Sequence, residues 1–255
     1  MKLSLLTYLL GKDLELGELL QVCRASGIPG VEFRAELDHR HGVELERTPE
    51  ERAAIRQRCA DAGVAVACLA TGCKFEYAEA DKRQEDIDRA KRFVDLAADI
   101  GAPRIRVFGN AFPAEGIDRA DVVENVGAAL REIAEHGATR DVDVCLEMHG
   151  DFYWWEHTLN AVRIADHPRV GVVHNCDPRE MKFGPIANFY EPVKTYVRHV
   201  HMHDLENGYP YQALMAMLKR DGYSGYFSLE AGASEEPRRV IAIYAALFRA
   251  WLETL

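Results

Sequence analysis

Three histidines recur at every second position in Val197-Arg198-His199-Val200-His201-Met202-His203-Asp204. Side chains of a β-strand alternate between faces, so His199, His201 and His203 share one side of such a strand. A buried row of imidazoles needs a hydrogen-bond partner or a metal ion for each ring, and imidazole nitrogen is a common metal ligand. Asp204 follows directly and is placed to accept a ring N–H and fix a tautomer. Solvent-facing histidines on a sheet edge would show the same spacing, so this stretch alone leaves both arrangements open.

The elements that would position these residues alternate along the whole chain. Short apolar runs at residues 3–8, 30–34, 64–70, 104–108, 142–147, 170–175, 197–203 and 225–230 read as strands. Amphipathic segments at 14–26, 49–62, 80–100, 118–136, 157–166, 186–196, 211–220 and 237–252 read as helices. Gly27, Gly63, Gly101 and Gly137 stand where C-terminal stop signals are expected. No connection offers a short hairpin turn, which argues for parallel strands, and no glycine-rich phosphate loop follows the first strand, which argues against an open doubly wound sheet. About eight βα units match a closed (β/α)₈ TIM barrel of roughly this length, expected to occupy residues 1–255 as a single domain.

In such a barrel the chemistry sits at the C-terminal ends of the strands. The fifth strand ends at Glu147, the sixth at Asn175 with Asp177 just beyond, the seventh at His201 and the eighth at Glu230. Neighbouring strands lie ~4.8 Å apart, so inward side chains from four successive ends can converge on one ion. A single strand-end glutamate is more often a cap or ion-pair partner, but four metal-capable residues in register favour a metal site. Carboxylates with one imidazole suit Mn²⁺, Mg²⁺, Co²⁺ or Zn²⁺.

Cys145-Leu146-Glu147-Met148-His149-Gly150, His199-Val200-His201-Met202-His203-Asp204 and Tyr226-Phe227-Ser228-Leu229-Glu230 resemble the strand ends of the xylose isomerase-like barrel superfamily. Within it the chain is similar to the sugar phosphate isomerase/epimerase group, which includes ketose 3-epimerases, inosose dehydratases and hydroxypyruvate isomerases. The resemblance covers nearly the whole chain, including Gly30-Val31-Glu32-Phe33-Arg34 and Ile105-Arg106-Val107-Phe108-Gly109. By position it implies Glu147, Asn175, His201 and Glu230 as metal ligands. The group usually has aspartate at the sixth-strand position; with Asn175 the site carries two ligand charges rather than three, and Asp177 is the substitute if its loop bends inward.

The resemblance further implies a small carbohydrate or polyol substrate whose C–H bond is acidified through an enediolate. Glu147 and Glu230, on non-adjacent strands, would remove and return the proton, giving isomerisation or epimerisation. The same groups expelling a β-hydroxyl would make a dehydratase, and a barrel with a weakened metal site would be non-catalytic. His203, nearer the mouth, is a candidate proton shuttle or hydroxyl ligand, or a solvated rim residue. His149, two residues past Glu147, would line the pocket or orient a ligand. Arg34, ending its strand, is a candidate for a substrate carboxylate or phosphate, whereas Arg106 is expected to pair internally with Glu32. Trp154, in the aromatic run Phe152-Tyr153-Trp154-Trp155, would stack on a sugar ring, lid the site or cover a subunit interface.

Composition narrows the classes. A formal net charge of −10 argues against binding nucleic acid through its phosphates, and so against a nuclease on a related barrel. No apolar stretch is long enough for a membrane span. Residues 1–10 read as a first core strand rather than a signal sequence, because no small-residue cleavage site follows. The six cysteines are scattered without a Cys-x-x-Cys pair, as expected for reduced thiols in a cytoplasmic protein. A homo-oligomer is compatible with all of this.

Overall fold

The computed structural model describes residues 1–113 and 115–255. Eight parallel strands close into a barrel in sequence order, β1 pairing with β8. They are β1 (Lys2–Leu6), β2 (Gly30–Arg34), β3 (Ala65–Lys74), β4 (Arg104–Phe108), β5 (Asp143–Glu147), β6 (Val170–His174), β7 (Val197–Met202) and β8 (Tyr226–Leu229). The helices between them are α1 (Leu16–Ser26), α2 (Pro49–Asp61), α3 (Ala80–Ile100), α4 (Arg119–Arg140), α5 (Trp155–Ala165), α6 (Ala187–Val193), α7 (Tyr211–Arg220) and α8 (Pro237–Thr254). This is the (β/α)₈ TIM barrel expected from the alternation.

The main apolar core lies between strands and helices, where Leu5, Phe33, Leu69, Val107, Leu146, Val172, Val200 and Leu229 are fully buried beneath helix residues such as Leu19, Phe93, Leu130 and Ile241. Apolar outward positions leave the inward ones free for polar residues, and Ser4, Glu32, Arg106, Glu147, His199, His201 and Ser228 are all buried.

Gly27 and Gly101 take left-handed conformations that close α1 and α3, with φ of 67° and 84°. Gly137 does not stop α4, which continues to Arg140 and ends at Asp141 with φ of 58°. A Cβ on Gly137 would lie 2.5 Å from the Val142 carbonyl oxygen, so glycine is needed there for close approach rather than termination. All six cysteines are free and buried, and no helix among the described residues is long and apolar enough to cross a membrane.

Candidate active site

Ladder register sets the height of each inward residue. Glu32 is level with Cys68, whereas Arg34 is level with Ala70 and, through it, with Arg106. Arg106 therefore stands one inward layer above Glu32, and the expected Glu32–Arg106 pair does not form. Arg106 Nε instead approaches Glu147 Oε2 at 3.0 Å, without aiming its N–H at that oxygen, and Arg106 Nη1 donates to the Thr71 carbonyl at 2.7 Å. Glu32 turns to the histidine row: its Oε1 lies 3.2 Å from His201 Nε2 and its Oε2 2.8 Å from His199 Nε2.

His201 is the hub. Its Nδ1 lies 3.1 Å from Glu147 Oε1 and 3.2 Å from Glu230 Oε2. One donor atom from each of Glu147, His201 and Glu230 lies within 4.8 Å of the others. Burial works to lower the basicity of His201, but Glu32 and Glu147 overcome it and hold its pKa well above the usual imidazole range. Burial likewise works to raise Glu147, yet Arg106 first and His201 second bring it down to about 2.

These contacts test whether a divalent ion fits. A carboxylate only accepts hydrogen bonds, so the Glu32 contact places a proton on His201 Nε2. The opposite ring edge then faces two carboxylates, and that arrangement is attractive only with a proton or a metal cation at Nδ1. Carboxylate and imidazole donors suit Mn²⁺, Mg²⁺, Co²⁺ or Zn²⁺, and an N–H to carboxylate contact behind the ring is the usual support of a ligating histidine. The residues fit the group.

The other sequence candidates fall at different distances from this cluster. His203 Nε2 contacts the Asn175 carbonyl and Asn175 Oδ1 at 2.7 and 3.0 Å, and its Nδ1 is 3.8 Å from Glu230 Oε2, so Asn175 and His203 join the cluster at its rim. Asp177 is occupied by Arg179, whose Nε and Nη2 contact its carboxylate at 2.5–3.0 Å, and it also caps the short turn Pro178–Phe183. A cavity of about 480 Å³ at this rim is lined by His149, Asn175, Asp177 and His203. His149 is exposed and tilts against Phe108 at 4.9 Å.

Arg34 sits at the end of β2, pairing with the Ala35 carbonyl and, at 3.6 Å, with Glu36. Burial, and then the neighbouring Arg106, bring its pKa down to about 10, so it remains a cation. Trp154 is packed edge-on against Phe183 and Phe189 at 5.1 and 5.3 Å and donates to Glu156. Asp204 does not serve a histidine either: it accepts from the Gly232 N–H and the Tyr244 hydroxyl. Glu32 is the residue that sequence reasoning missed for the site. Its strand parity was the available signal, and its partners depended on register.

The chain is thus a closed parallel barrel that holds an imidazole among carboxylates at the C-terminal ends of its strands. Residues 20–251 match the family described as xylose isomerase-like TIM barrel, and the chain belongs to that family. A 3-dehydroshikimate dehydratase of Pseudomonas putida is 31% identical over 165 residues, covering 62% of this chain and 24% of that protein. A second, from Pseudomonas aeruginosa, is 25% identical over 256 residues, covering 89% of this chain and 38% of that protein. The chain thus spans between about a quarter and two-fifths of the length of these curated relatives. D-Psicose 3-epimerase from Clostridium cellulolyticum H10 superposes with a TM-score of 0.81, covering 98% of this chain and 99% of that one at 13% identity, a likeness of fold alone.

Proposed function

We propose that the protein is a divalent-metal-dependent dehydratase of a polyhydroxylated cyclic ketone bearing a carboxylate, of the 3-dehydroshikimate kind. The observation that carries this reading is the unequal state of the two glutamates around His201. Glu147 is held by Arg106 and His201 and stays ionised, whereas Glu230 is partly exposed and pairs with no arginine among the described residues. Epimerisation by two bases needs both carboxylates free to exchange a proton. Elimination needs one base and one acid.

The ion would be held by Glu147, His201 and Glu230, with Asn175 Oδ1 as the fourth donor. Bound there, it would polarise the substrate carbonyl and acidify the neighbouring C–H. Glu230 takes that proton through its second oxygen, the electron pair forms the new C=C bond, and the β-C–O bond breaks. His203, whose Nδ1 lies 3.8 Å from Glu230 Oε2, is the acid that gives a proton to the departing hydroxide, which leaves as water. Arg34, at the mouth and still cationic, binds the substrate carboxylate. The two Pseudomonas relatives support elimination over epimerisation.

The test is to incubate the purified protein with Mn²⁺, Mg²⁺, Co²⁺ or Zn²⁺ and 3-dehydroshikimate and follow the near-ultraviolet absorbance of the dehydrated, aromatic product. Turnover that is lost on chelation and falls about 100-fold or more in Glu230→Gln and His203→Gln is the expected result. Solvent-deuterium exchange or an epimer of a ketose, with no dehydrated product, would instead establish an epimerase.

A further inference from the structure

Bulky branched residues usually fill the interior of a (β/α)₈ barrel. Beneath His201 this barrel instead holds a file of polar side chains with no exposed surface: Glu32, His199, Ser228 and Ser4. Burying such groups is costly unless they are paired, and each side chain of the file has a partner, with His199 Nδ1 the atom left without one among the described residues. Ser4 Oγ lies 2.6 Å from Ser228 Oγ, Ser228 Oγ 2.8 Å from His199 Nε2, and the same nitrogen 2.8 Å from Glu32 Oε2. Glu32 Oε1 completes the file at His201 Nε2.

Resting on the metal reading above, we infer that Glu32 is a positioning residue: it fixes the proton on His201 Nε2, leaves Nδ1 as the ligating atom, and supplies a compensating negative charge behind the ring. Glu32 accepts from both histidines, so neither of its oxygens is left for a ligand. Donor atoms of Glu32, His199 and His201 also approach one another within 4.8 Å, as a second ion site would require. Both Glu32 oxygens are already engaged by ring N–H groups and all three residues have no solvent access, so this lower group supports the upper one. One ion per chain is the consequence.

The closing experiment is calorimetric titration of the metal-stripped full chain with Co²⁺, for wild type and Glu32→Gln, beside thermal melts of both. Glutamine keeps the shape and one accepting oxygen but loses the charge. The expected result is one Co²⁺ per wild-type chain and an affinity about 10–100-fold weaker in Glu32→Gln, with a cooperative melt retained. Equal affinity in the two proteins would overturn the role of Glu32 and leave the proposed dehydratase standing. A wild type that takes no Co²⁺, Mn²⁺, Mg²⁺ or Zn²⁺ would overturn both. Should Glu32→Gln fail to fold, ¹⁵N histidine spectra of the wild type with Zn²⁺ decide: a proton on His201 Nε2 and metal at Nδ1 support the inference, and the reverse tautomer overturns it.

Discussion

Glu180 offers the sharpest test of the energetics around the site. It lies in the turn Pro178–Phe183, three residues beyond Asp177, and has no exposed surface. Its Oε2 accepts from the Tyr209 hydroxyl at 2.8 Å and lies 3.7 Å from His174 Nε2, while Oε1 has no partner among the described residues. Burial raises its pKa to about 8 from an ordinary 4.5, with Tyr209 opposing the rise. Between those two values the folded state keeps a proton that the unfolded chain has released. Stability therefore falls as pH rises from 4.5 to about 8, is unaffected by this group below that window, and levels off above it. At ~1.4 kcal/mol per pH unit the loss amounts to about 5 kcal/mol as an upper bound. Glu180→Gln retains the oxygen that accepts from Tyr209 and cannot ionise. Urea unfolding of both proteins, followed by circular dichroism at intervals from pH 4.5 to 8.5, should show the variant gaining on wild type by several kcal/mol across the range. The change with pH of the difference between the two proteins removes any fixed cost of the amide and every group that titrates alike in both, leaving Glu180 and its buried neighbour His174. A difference that stays flat within about 0.5 kcal/mol from pH 5 to 8.5, an ordinary error for such extrapolations, would refute a buried, proton-holding Glu180.

Two further outcomes follow from local geometry. Asn175→Asp adds a third carboxylate while keeping an oxygen for the His203 contact, and it should tighten Co²⁺ binding about tenfold or more by calorimetry; unchanged affinity would place position 175 outside the ion's reach. Gly109→Ala would put a Cβ about 2.5 Å from the ring of fully buried Phe152, and should cost about 1–3 kcal/mol through overpacking. A thermal melt several degrees lower is the expected reading, and an unshifted melt would mean that the Phe152 ring moves freely.

The barrel was legible because its signals are local. Each strand needs only its own alternation, and each helix its own period and stop. Gly27, Gly63 and Gly101 worked as stops because each adopts a positive φ. Gly137 looks the same in sequence but is set by the approach of Val142, which belongs to the next strand's entry, so α4 runs past it. The candidate site was legible to the extent that it depends on parity. Glu147, His201 and Glu230 do converge, with Asn175 and His203 at the rim. Charge complementarity alone could not choose partners for Glu32 and Arg106. Nor did it anticipate Arg179 for Asp177, which comes from a turn rather than a strand. Trp154 was read from its position at the mouth, but its direction is set by packing against Phe183 and Phe189.

By itself, then, the sequence determined that eight βα units would close a barrel and which strand residues would face inward, because alternation and helical period act over a few neighbouring residues. Only the tertiary structure decided which inward residues meet. Inter-strand register sets their heights along the barrel axis, and a step of one inward layer separates Glu32 from Arg106 and delivers Glu32 to His199 and His201 instead.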